Sequence, residues 1–164
     1  MPTVGQIEKL TQERVIELFT ERLGYAYLGN QIDRDNANIE TSLLADWLVS
    51  RGVSSALIQR ALHELSKVAG DTSKSLYDRN KAVYELLRYG VKVQPGAGEN
   101  HETVWLVDWK KPANNLFAVA EEVTIKGADL PGSAKASTKR PDVVVYVNGI
   151  ALVVLELKRS TVSV

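Results

Sequence analysis

Arg140-Pro141-Asp142-Val143-Val144-Val145-Tyr146-Val147-Asn148-Gly149-Ile150-Ala151-Leu152-Val153-Val154-Leu155-Glu156-Leu157-Lys158 is the stretch that decides the fold. Two apolar runs flank an Asn-Gly pair, the strongest short-range signal for a β-hairpin. Val and Ile dominate both runs and favour strands. Neither run alternates cleanly with polar residues, so both strands are expected to be buried on both faces. Three charges sit at the open end: Asp142 enters the first strand, and Glu156 and Lys158 leave the second. Charges are costly in an apolar layer unless they are paired or bind a metal. Glu156 and Lys158 are two positions apart, so on a strand they share a face about 7 Å apart. Surface charges at a strand end and a metal site explain this grouping equally well on context alone.

Outward from the hairpin, the chain of 164 residues is long enough for one domain with a real core. It has no cysteine, which excludes disulfides, thiolate zinc sites and a cysteine nucleophile and fits a cytoplasmic protein. His63 and His101 are the two histidines, too few for an all-imidazole metal site. Met1-Pro2-Thr3-Val4-Gly5 has neither the basic nor the apolar segment of a signal peptide. The apolar run Ile150 to Leu155 is far too short to span a bilayer. The formal net charge of zero is unusual for a lone DNA-binding domain. That balance does not exclude DNA affinity borrowed from neighbouring parts.

Upstream, Thr3-x-x-Gln6 reads as a capping box, with Thr11 an alternative helix start. Ile7, Leu10, Val15, Leu18, Phe19 and Leu23 follow at helical spacing and Gly24 ends the helix. Tyr25 to Gly29 reads as a connector. A second helix starts at Asn36 or Asn38 and ends at Gly52, and a third starts at Ser54 or Ser55. A fourth runs from about Leu76 to Tyr89 and stops at Gly90. Strands are expected at Val91 to Val93, Glu102 to Trp109 and Leu116 to Ile125, between Pro, Gly and Asn turns. The expected class is therefore α+β: a helical part over 1–90, then a mostly antiparallel mixed sheet over 91–164, in one domain.

Competing motifs fall away. Gly127-x-x-x-x-Gly132-Ser133 begins like a phosphate loop but lacks the Lys-Ser/Thr and opens no helix. Lys135, Lys139 and Arg140 are candidates for phosphate-backbone contacts, and a solvated basic loop explains them as well. Trp47, Trp105 and Trp109 suit core or half-buried positions better than base stacking. No serine nucleophile elbow occurs.

The pattern Pro141-Asp142 with Glu156-Leu157-Lys158 resembles the PD-(D/E)xK nuclease signature. The wider text is similar to the N-terminal nuclease domain of the R (HsdR) subunit of type I restriction-modification enzymes. It includes Leu106-Val107-Asp108-Trp109, Pro112-x-Asn114-Asn115-x-Phe117, Thr11-Gln12-Glu13-Arg14-Val15 and Leu23-Gly24-Tyr25. The resemblance implies a restriction endonuclease-like core in the first part of a longer subunit. A glutamine-bearing helix and a further strand would follow Lys158, so the chain is expected to be a fragment with a strand edge open to pairing.

By the same resemblance, Asp142, Glu156 and the backbone carbonyl of Leu157 would bind Mg²⁺. Lys158 would be the catalytic lysine, and Glu13 would supply a further acid from the first helix, with Glu17 and Glu40 as alternatives. The substrate would be double-stranded DNA. ATP would act only through motor domains absent here. The partners would be the modification (HsdM) and specificity (HsdS) subunits, which use S-adenosylmethionine. Another PD-(D/E)xK nuclease of DNA repair or junction resolution is the alternative enzyme, and a silent docking module the non-enzymatic one.

This reading makes a demand on register. A regular two-residue loop pairs Val147 with Ile150 and hence Asp142 with Leu155, which turns Asp142 away from Glu156 and Lys158. A shared site requires a three-residue loop, a bulge, or an Asp142 that leaves the ladder.

Overall fold

The computed structural model describes residues 4–34, 38–126 and 138–157. In chain order they form α1 (Val4–Glu17), a π-helical turn (Leu18–Arg22), β1 (Ala26–Asn30), α2 (Thr41–Ser50), α3 (Ser55–Ala69), α4 (Leu76–Tyr89), β2 (Val91–Val93) and β3 (Glu102–Val104). A 3-10 turn (Pro112–Asn114), β4 (Phe117–Glu121), β5 (Ile125–Lys126), β6 (Thr138–Lys139), β7 (Val143–Val147) and β8 (Ile150–Leu155) follow. The class is α+β with a mixed sheet. Two compact units are interleaved in sequence: residues 1–39 with 116–164, and residues 40–115.

The first unit holds a four-stranded sheet in the order β1-β4-β7-β8. β4 and β8 both run antiparallel to β7, and β1 runs parallel to β4. Tyr25 to Gly29, read above as a connector, therefore contributes a strand. Its signal is weak because the strand is short, contains Gly29 and changes register between Tyr27 and Asn30. The helix that begins as α1 ends against the sheet through aromatic contacts. Tyr25 lies between Phe19 and Phe117, with both ring separations 5.1 Å. Ala118, Ala120, Val123, Val144 and Tyr146 form the buried core here.

β7 is buried along its length except at Val147, as two-sided burial requires. β8 departs from that expectation: it is the sheet's edge among the described strands, and Val153 and Val154 are 45% and 56% exposed.

In the second unit, α3 packs on α2, α4, β2 and β3. Leu44, Leu48, Leu57, Ile58, Ala61 and Leu65 are buried. Ser54 and Ser75 cap α3 and α4 by accepting the Leu57 and Asp78 backbone N–H groups at 3.5 and 3.1 Å. α2 has no such cap: Glu40 precedes Thr41 and makes no capping bond, while Asn38 lies outside the helix and accepts the Ala151 N–H through its carbonyl at 2.9 Å. Asn36 lies outside the described residues. Gly90 ends α4 at φ 77°, and a Cβ there would meet Thr103 Cγ2 at 2.5 Å, so both backbone and space demand glycine. The strand expected over Glu102 to Trp109 stops at Val104.

Candidate functional site

Asn148 and Gly149 adopt φ of 51° and 82° in the two-residue loop between β7 and β8. Val147 pairs with Ile150 and Tyr146 with Ala151. The register then shifts, and Val145 pairs with Val153, Val144 with Val154 and Val143 with Leu155. Leu152 is the extra residue of a bulge. The three-residue loop is not the device used; the bulge is. Carried one step past its last pair, the shifted ladder sets Asp142 opposite Glu156 rather than Leu155.

Asp142 itself stands just before β7 and is half-buried. Its Oδ2 accepts the backbone N–H of Leu157 at 2.6 Å, so the carboxylate reaches the backbone next to Glu156. Glu156 is exposed. Its charge and that of Asp142 converge on the open end of one hairpin.

A second group closes around the same end. Glu121, the last residue of β4, pairs with Val143 of β7. Glu122 has φ 51°, and its backbone N–H donates to the Asp142 carbonyl at 3.1 Å. Buried Gln12 of α1 points its amide into this corner. It donates to Glu121 Oε2 at 2.9 Å, to Glu122 Oε1 at 3.3 Å and to the Asp142 carbonyl at 3.2 Å. The Tyr27 hydroxyl donates to Glu121. Burial, then the hydrogen bond to Glu121 and its negative charge, push the Tyr27 phenol up to about 12. Arg140 Nε pairs with Glu122 Oε2 at 2.8 Å.

Helix α1 thus offers Gln12, and not Glu13, to this corner: Gln12 is buried and Glu13 exposed. The two differ by one position, or about 100° around a helix. Glu17 is also exposed, and Glu40 belongs to the other compact unit. Lys139 is exposed on β6, and Arg140 is engaged by Glu122. Lys135 and Lys158 lie outside the described residues. Gln12, Tyr27, Glu121 and Glu122 escaped the sequence reading. The adjacent acids closing the apolar run Phe117 to Ala120 were the available signal.

The donors at the hairpin end, two carboxylates and a backbone carbonyl, are hard oxygen ligands of the kind that Mg²⁺ accepts together with several waters. Among the described residues, no group of three or more Asp, Glu, His or Cys is arranged to hold a metal by itself. A site with two protein carboxylates and a water-rich shell fits that arrangement; an all-protein cage does not.

Helices and a mixed sheet, with acids at the end of a bulged hairpin, place the chain in the α+β class. The chain belongs to the type I restriction enzyme R protein N-terminus family, whose model matches residues 6–164. It is 38% identical over 82 residues to the type I restriction enzyme HindI endonuclease subunit of Haemophilus influenzae, an alignment covering 49% of this chain and 7% of that subunit. No solved structure matches the chain. No helix among the described residues is long and apolar enough to cross a membrane.

Proposed function

We propose that this chain is a PD-(D/E)xK endonuclease domain that hydrolyses phosphodiester bonds of double-stranded DNA with Mg²⁺. The observation that carries the reading is the bulged register together with the Asp142–Leu157 hydrogen bond, which joins Asp142 to the strand end bearing Glu156. Family membership supports the nuclease assignment. Asp142, Glu156 and the Leu157 carbonyl would hold the ion. When bound, Mg²⁺ supplies an acidified water and offsets phosphate charge. Asp142 spends one oxygen on the Leu157 N–H, which fixes the carboxylate and leaves Oδ1 for the ion. Lys158 would orient the attacking hydroxide and offset the charge developing on the phosphate. Arg140, tied to Glu122, would present the rest of its guanidinium beside the DNA backbone, with Lys135 and Lys139 on the same approach.

In a longer cytoplasmic subunit, ATP-driven translocation would deliver the DNA, and modification and specificity subunits would choose the site. The test is DNA cleavage by the full-length subunit carrying Asp142→Asn or Glu156→Gln. Loss of cleavage with assembly intact is expected. Normal cleavage by either variant overturns the reading.

A further inference from the structure

The unit formed by residues 40–115 contains a cavity of about 930 Å³, within the size range of ligand sites. Its walls are unusual in one respect. Trp105, Trp109 and Tyr89 all line it, and all keep about half or more of their surface in solvent: 52%, 48% and 63%. Large aromatic rings clustered on one face and left wet are the mark of a binding surface rather than of a core. The Trp109 ring is held in place: its indole N–H donates to the Leu87 carbonyl at 2.8 Å.

Cations accompany the rings. Arg51, Arg88 and Lys110 line the cavity, against the carboxylates of Glu102 and Asp108. The Arg88 guanidinium carbon lies 6.0 Å from the Trp109 ring centre. Asp108 is already used internally. Its carboxylate accepts Asn114 Nδ2 at 2.7 Å, the Lys111 and Lys110 N–H groups at 2.9 and 3.2 Å, and Arg51 at 3.4 Å. Asp108 therefore orders the loop over Asp108 to Asn115, and Arg51 offsets its charge. Arg88 and Lys110 then face a single remaining carboxylate, Glu102, beside flat apolar rings.

We propose that this cavity binds single-stranded nucleic acid, with bases stacked on Trp105 and Trp109 and phosphates beside Arg88 and Lys110. Rings with interleaved cations suit a chain that carries a flat face and a negative charge at every residue. A duplex hides its base faces, and an uncharged proline-rich peptide leaves the cations unmatched. None of the lining residues belongs to the hairpin, and the proposal does not rest on the nuclease reading.

The test is fluorescence anisotropy of the 164-residue chain with a labelled oligothymidine and with a duplex of equal length, in EDTA so that no cleavage intervenes. The single strand is expected to bind tighter than the duplex. Trp105→Ala is expected to weaken it by about 5- to 150-fold, the loss of one base stack. Arg88→Gln is expected to weaken it and to flatten its dependence on salt. Circular dichroism checks folding of both variants, and Arg88→Gln carries the test if Trp105→Ala does not fold. No single-strand binding, equal binding of duplex, or unchanged binding by folded variants overturns the proposal. Any of these outcomes leaves the Asp142 and Glu156 cleavage test standing.

Discussion

The Asp142 carboxylate accepts the Leu157 backbone N–H at 2.6 Å, fifteen positions along the chain. One bond thus ties the start of β7 to the end of β8 and fixes one oxygen of a candidate metal ligand. Asp142→Asn keeps the shape and an acceptor oxygen while removing the charge. It is expected to leave the thermal unfolding midpoint near that of the parent while lowering cleavage by the full-length subunit at least about 100-fold, the scale of losing a group that stabilises transition-state charge. Plasmid cleavage and differential scanning calorimetry on the same preparations separate the two effects.

Gln12 donates to two carboxylates and a carbonyl from a buried position. Glu121 and Glu122 keep Tyr27 and Arg140 when that amide is removed. Gln12→Ala is therefore expected to cost about 1–2 kcal/mol, read from the urea midpoint. Gln12→Glu puts a third carboxylate against two others. Mutual repulsion raises the folded-state pKa of the new group above its unfolded value, so its stability relative to the parent improves at acid pH and falls as pH rises through that pKa. A variant equally stable at pH 5 and pH 8, relative to the parent, would contradict this arrangement.

Asn148 is fully buried in the hairpin loop. Its Oδ1 accepts the Leu116 N–H at 2.7 Å, and its own N–H donates to the Leu116 carbonyl at 2.7 Å. Asn148→Ala leaves the Leu116 donor without this acceptor and puts alanine at φ 51°. A loss of about 2–4 kcal/mol is expected by denaturant titration, combining an unmade buried hydrogen bond with left-handed backbone strain.

Burial, then the hydrogen bond to Glu121 and its charge, push the Tyr27 phenol from its ordinary 10.0 up to about 12. A folded pKa raised above the unfolded one adds stability that is fully present below the unfolded pKa and lost as pH rises through the folded one. The window is therefore pH 10 to 12. Unfolding free energy should fall across it, and Tyr27→Phe should fall less steeply. Parallel slopes for the two proteins would show that the Tyr27–Glu121 bond does not set the shift.

The parts legible in the sequence are those whose physics is local. Ser54 and Ser75 cap helices through their own next turn, and Gly90 stops α4 because the backbone there needs positive φ. Asn148-Gly149 closes the hairpin because both residues tolerate positive φ. The same locality explains the misreadings. β1 is a strand because β4 lies beside it in parallel, and nothing within Tyr25 to Gly29 announces a partner some ninety positions away. The uneven burial of β8 likewise follows from its place at the sheet edge, while the Val-rich text of both hairpin strands is alike.

By itself, then, the sequence determined the hairpin, the acids at its open end and the family text that surrounds them. Only the tertiary structure decided where those acids point. The bulge at Leu152 moves the ladder by one residue, and in a strand one residue is the difference between the two faces of the sheet. The choice of Gln12 over Glu13 has the same origin. The hydrogen bonds of Gln12 to Glu121, Glu122 and the Asp142 carbonyl, all more than one hundred positions along the chain, turn the amide, and not the neighbouring acid, toward the hairpin end.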